Sequence, residues 1–134
     1  MRTPELEARH SASAIISEMM LEVCAAMLEG YNGGKTNFAA VWPEWQVIMV
    51  IRLNDHRALP PLSVNKIAHI TNVSRRNVDR LIANLIAHGV IKKSGTGYIG
   101  EDMYLYERLT ASYFKRVVTA IDVAAYRLSK LPKP

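Results

Sequence analysis

Three features of this 134-residue chain predict a mainly α-helical fold. Residues 62–89, LSVNKIAHITNVSRRNVDRLIANLIAHG, read as two short helices joined by a tight turn. Residues 90–107 then carry the alternation of a hairpin, and both ends of the chain place apolar residues three and four apart, the period of a helix with one apolar stripe. Together they describe a winged helix-turn-helix with long N- and C-terminal helices forming a dimerisation region and a two-stranded β wing.

Each element has a local reason. Pro4 opens a helical pattern to about Glu29, with Ala12, Ile16, Met19, Val23 and Ala26 on one stripe. Gly30, Asn32, Gly33 and Gly34 stop it, and an irregular connection leads to Trp42. Pro43 suits a first helical position and Glu44 the positive end of that helix. The helix runs to about Asn54 and holds Val47, Ile48, Met49, Val50 and Ile51 in a row, which predicts a central helix apolar on nearly every side; a strand is the other reading of those five residues. After Pro60 and Pro61, Ser63 caps a short helix whose inward residues are Val64, Ile67 and Ala68. Thr71, Asn72 and Val73 make the turn and Ser74 caps the second helix, which buries Val78, Leu81, Ile82, Leu85 and Ile86 and ends at Gly89 in a left-handed cap.

A hairpin follows: Val90 to Lys93, a loop SGTGYIGED, then Met103 to Glu107. The last helix is predicted from about Arg108 to Leu131, with Phe114, Val117, Ile121, Ala124, Leu128 and Leu131 forming a seam for another helix. The chain is long enough for one domain, 1–134, with a winged-helix core at about 43–107 and dimerisation helices at about 4–31 and 108–131. The terminal stripes exceed what one small core can cover, which predicts a homodimer; packing of the two terminal helices on each other within one subunit is the alternative.

With 49% hydrophobic and 22% charged residues the chain is globular, not disordered. A lone cysteine, Cys24, forms no internal disulfide, and no uninterrupted apolar run approaches the roughly 20 residues that span a bilayer. A cytoplasmic protein without a membrane partner is expected. The net charge of +5 is unevenly spread: residues 46–95 hold eight basic against two acidic residues, whereas residues 1–45 hold three against six. Such a basic centre attracts a phosphate backbone, although a solvated basic face has the same composition.

The second helix of the pair sharpens the choice. Opposite its apolar stripe lie Arg76, Arg80, Ala83 and Ala87, flanked by Asn77 and Asn84. Arginine and amide side chains offer bidentate hydrogen bonds to guanine and adenine edges, and alanines allow close approach. Arg75, beside the core face, suits a phosphate, as do Lys66 in the preceding helix and Lys92 and Lys93 at the base of the wing. Ser74 joins this set at the helix start. Asp79 either accepts from a cytosine amino group or favours the positive helix end.

With WPEWQVIMVIRL before the motif and LSVNKIAHITNVSRRNVDRLIANLIAHGVIKK through it, the chain resembles MarR-family transcriptional regulators over residues 42–93, and its helical flanks agree in order and length. The resemblance implies a homodimer that binds double-stranded DNA at a palindromic operator, represses nearby genes, and releases DNA on binding a small-molecule effector. The family's wing holds an acidic residue and an arginine near its tip; here the tip reads Gly95, Thr96, Gly97, Tyr98, Ile99 and Gly100. Two other readings therefore stay open: a winged-helix module that binds proteins, and a replication or partition factor of a mobile element.

No enzyme and no cofactor are expected. Gly34-Lys35-Thr36 matches the end of a phosphate-binding loop, but Glu29 stands where its first glycine belongs, and a helix precedes it. His10, His56, His69 and His88 lack ligand spacing. Cys24, among Val23, Ala25 and Ala26, is read as a small core residue or, as in some relatives of the family, a peroxide-sensing thiol. Tyr31, Phe38, Trp42 and Trp45 suit a core as well as an effector pocket.

Overall fold

The structure, a computed structural model, describes residues 2–30 and 37–133. It is mainly helical, with one two-stranded antiparallel sheet among the described residues. The chain forms two compact units, Met1–Gly34 with Thr110–Pro134, and Lys35–Leu109. The connection expected around Tyr31, Asn32, Gly33, Gly34, Lys35 and Thr36 lies outside the described residues.

The terminal unit is built from α1 (Pro4–Glu29) and α6 (Ser112–Ser129). The Thr3 hydroxyl accepts from the Leu6 N–H at 3.1 Å, Pro4 sits at the first helical position, and Glu5 and Glu7 face the positive helix end. At the other end Gly30 touches the Tyr113 ring so closely that a Cβ there would lie 2.5 Å from it. The two helices pack on each other within the chain. Ile15, Ala26 and Ala124 are buried between them, while Ile16, Leu21, Ile121 and Val123 are exposed. Arg127 donates to Glu18 at 2.8 Å, and Arg116 bridges Glu22 and Glu29. By length and composition α1 is the one described helix apolar enough to cross a membrane. An open groove of about 690 Å³ runs along the pair, with Ile15, Met19 and Ala124 in its lining and Lys115, Arg116 and Arg127 among its charged residues.

The central unit contains α2 (Phe38–His56), α3 (Val64–Thr71), α4 (Arg75–Ala87), β1 (Ile91–Ser94), β2 (Gly97–Gly100) and α5 (Asp102–Leu109). Its core joins Val47 and Ile51 of α2, Ile67 of α3, and Val78, Leu81, Ile82 and Leu85 of α4 to Leu62, Val90 and Ile91. Removing each such side chain from water contributes roughly 1.5–3 kcal/mol, so this cluster holds three helices and the sheet together. Ser63 and Ser74 cap α3 and α4 as predicted, each hydroxyl accepting a backbone N–H at 3.3 Å.

Several expectations are corrected. The second helix begins at Phe38 and carries Pro43 inside it. The Asn37 side chain caps it by accepting from the Ala39 N–H at 2.9 Å, and Phe38 stacks on Trp42 and meets Trp45 edge-on, so aromatic packing extends the helix despite the bond that Pro43 cannot donate. Glu44 accordingly lies in the second turn and is buried. The helix is not apolar-covered all round, because Met49 and Leu53 are exposed. Ile86 is exposed too, at the margin of the α4 stripe.

The hairpin is the largest revision. Its second strand is Gly97–Gly100, and residues 103–107 belong to α5. Gly95 at φ 60° opens a two-residue turn between the paired Ser94 and Gly97, a position that a residue with a Cβ fills poorly. Gly97 then passes so close to Pro61 that a Cβ would lie 2.5 Å from its carbonyl oxygen, and the Tyr98 N–H donates to the Leu62 carbonyl at 2.9 Å. These contacts select the nearer strand. Met103 and Tyr106 remain exposed, so the alternation read there corresponds to no buried sheet face. The last helix is interrupted at Thr110–Ala111, and α6 stops at Ser129, short of Leu131.

Candidate nucleic-acid interface

The turn between α3 and α4 sets the geometry of the candidate surface. The Thr71 hydroxyl donates to the Ile67 carbonyl at 2.7 Å and accepts from the Val73 N–H at 3.4 Å. Asn72 takes a left-handed conformation at φ 57°, which asparagine tolerates better than most residues. The chain thus reverses within three residues, and the apolar sides of α3 and α4 share one core.

Burial of Val78, Leu81, Ile82 and Leu85 fixes which way α4 faces. Arg75, Arg76, Asn77, Arg80, Ala83 and Ala87 are all exposed on its other sides, and Ser74 is exposed at its start. Among the described residues, Arg75, Arg76 and Arg80 have no ion-pair partner, nor do Lys66 on exposed α3 surface or Lys93 on β1. Asp79, exposed on the same helix, is the one carboxylate in α4 against three arginines, so the helix keeps a net positive charge. Two carboxylates of the same unit point elsewhere: Glu44 is buried, and Asp55 accepts from the Gly100 N–H at 2.8 Å, tying the sheet to α2.

Not every predicted residue joins that surface in the same way. Asn84 is half-buried, and its Nδ2 donates to Glu44 Oε1 at 3.2 Å, so its amide is engaged inside the unit. Lys92 lies 3.8 Å from Glu101, whereas Lys93 is exposed without such a partner. Asp79 occupies the fifth position of α4, beyond the turn in which the positive helix end acts, which leaves its role there without support. The expected tip of six residues shrinks to Gly95 and Thr96.

Sequence reasoning missed two links that position the surface. One is the Glu44–Asn84 hydrogen bond, spanning 40 residues, for which no local pattern exists. The other is the pairing of Leu62 with Tyr98, whose trace was legible in the glycine spacing of Ser94-Gly95-Thr96-Gly97.

At the helix end, Gly89 is left-handed at φ 71° as predicted; its N–H bonds the Ile86 carbonyl and the Val90 N–H the Leu85 carbonyl. This closes the last turn of α4 and directs the chain into β1. Comparison with protein-family models, with curated proteins and with solved structures yields no match.

Proposed function

We propose that the chain is a cytoplasmic, sequence-specific DNA-binding regulator with a winged helix-turn-helix core of the MarR type, acting as a homodimeric repressor at a palindromic operator. The observation that carries the reading is the exposed, unpaired face of Arg76 and Arg80 with Asn77 on α4, opposite a stripe buried in the core. In this role α4 enters the major groove, Arg76 and Arg80 meet guanine edges, and Ala83 and Ala87 let the backbone approach. Arg75, Lys66 and Lys93 neutralise phosphates, and the sheet serves as a short wing.

Dimerisation is supported by the terminal unit. Leu21 is 74% exposed on α1, and Val123 is 51% exposed on α6, an unusual amount of apolar helix surface for a pair already packed together. In a symmetric dimer the two copies of α4 are expected to enter major grooves about one helical turn apart.

Selection of bound sequences from random duplex DNA tests the reading, and the expected product is an inverted repeat. Substituting Arg76→Ala with Arg80→Ala should lower affinity for that site by roughly 30-fold or more, since each arginine contributes about 1–3 kcal/mol of discrimination. Affinity should also fall steeply with salt as counterions return to the phosphates. A selection that enriches nothing, or a double variant that binds as well as the unsubstituted protein, overturns it.

One observation favours a second reading, a protein-interaction module: the short hairpin carries no arginine, and Lys92 is turned toward Glu101. That reading predicts no shift of duplex DNA at any salt concentration.

A further inference from the structure

Asn84 sits on α4 about 40° around the helix axis from Arg80, the spacing of two residues four apart. A free amide there would be a candidate for an adenine edge. Instead its Nδ2 donates to Glu44 Oε1 at 3.2 Å, and Glu44 is a carboxylate only 3% exposed, flanked on α2 by buried Val41, Trp45 and Val47. A charge taken out of water is costly unless hydrogen bonds compensate it, so a buried carboxylate that meets a partner 40 residues away constrains both elements.

The constraint is directional. The apolar stripe of α4 holds the helix on the core and sets which side faces outward, and a directional hydrogen bond narrows the rotation that the stripe still permits. A rotation of about 20° at the helix surface, some 5–6 Å from the axis, moves a side-chain atom by about 2 Å, more than a hydrogen bond survives. The Glu44–Asn84 bond therefore refines the rotation that the buried stripe sets and, through it, the direction in which Arg76 and Arg80 leave the helix.

We infer that Glu44 and Asn84 are a positioning pair: Asn84 serves sequence preference by fixing the orientation of the reading helix, without itself contacting a base. The inference rests on the DNA-binding reading above. It removes one residue from the expected base-contacting set and adds Glu44, which lies on no DNA-facing surface.

The test exchanges donor and acceptor. Asn84→Asp sets a carboxylate against Glu44; adding Glu44→Gln restores one donor and one acceptor with the polarity reversed. Thermal midpoint and bound-sequence selection are measured for the single and double variants. Asn84→Asp is expected to lower the midpoint by roughly 5 °C and to reduce discrimination between the selected site and a mismatched one about tenfold. The double variant should recover most of both and select the same bases as the unsubstituted protein.

Should Asn84→Asp fail to fold, Asn84→Ala tests the same point: discrimination is expected to fall at every position of the site with the preferred bases unchanged. A changed base preference at one position in Asn84→Ala, absent from Glu44→Ala, which breaks the same bond but leaves the Asn84 amide in place, overturns the inference, because Asn84 then reads that base. So does a double variant that recovers nothing. If the unsubstituted protein selects no sequence, the DNA reading fails and the role with it, while recovery of the midpoint in the double variant decides separately whether the pair exists.

Discussion

Helices α4 and α6 are both strongly amphipathic, yet they use that pattern differently. α4 buries four apolar residues in the core of its own unit, whereas α6 buries only Ala124 and leaves Val118, Ile121, Val123 and Tyr126 exposed. An apolar stripe thus defines a face that avoids water, but not which molecule covers it. In the central unit the cover is supplied by α2, α3 and the sheet; in the terminal unit α1 covers part of the stripe, and the remainder supports the proposal of a second copy.

The sharpest test of that contrast is a core truncation in each region. Leu85→Ala, at a site 1% exposed, should destabilise the central unit by about 2–5 kcal/mol in urea denaturation. Ile121→Ala, at a site 47% exposed, should change the stability of the isolated monomer by less than about 1 kcal/mol. Equal losses at the two sites would erase the distinction.

Next in size is the effect on assembly. Placing carboxylates on the exposed apolar surface, Leu21→Glu with Val123→Glu, should shift the protein to monomers in sedimentation velocity and weaken operator binding, with the helical signal retained. A dimer that survives both substitutions would place the two-fold contact elsewhere.

A smaller effect is expected where the backbone itself is constrained. Asn72→Val puts a β-branched residue at φ 57° and should cost about 1–2 kcal/mol in the central unit, while Asn72→Gly should be tolerated. The paired midpoints distinguish strain in the turn from loss of the asparagine side chain.

The smallest effect belongs to the terminal ion pairs. The hydrogen bond from Arg116 holds the Glu22 carboxyl below its ordinary value of 4.5, and the same contact raises the already high Arg116 value. Because the folded value is the depressed one, the stabilisation is present above pH 4.5 and is lost as pH falls through the folded value. Arg116→Ala should flatten that part of the pH dependence of the thermal midpoint, and salt should mute it, since these side chains are well exposed.

Much of the fold was legible because its determinants are local. Ser63 and Ser74 as caps, Gly89 as the left-handed stop, and Val78, Leu81, Ile82 and Leu85 as the buried stripe all follow from neighbours within one or two turns. The α4 arginines were located by the same periodicity, since the residues opposite a buried stripe face outward. The misread elements share the opposite property. Pro43 read as a helix start because proline suits a first helical position, whereas the true start, capped by Asn37, is carried past Pro43 by the stacking of Phe38 on Trp42, an aromatic contact that no helical period announces. Residues 103–107 read as a strand because alternation over five residues also fits a short helix, and only the approach of Gly97 to Pro61 and the pairing of Tyr98 with Leu62 select the true partner.

By itself, then, the sequence determined the caps, the reversal at Asn72, the buried side of α4 and the basic character of its outer side, because hydrogen-bonding side chains and helical period act over a few residues. Tertiary structure alone decided the partner of β1, the break at Thr110–Ala111 and the fate of Asn84. Its amide was equally able to face solvent or the interior, and it is the buried Glu44, 40 residues earlier in the chain, that accepts from it inside the unit, a contact no local pattern encodes.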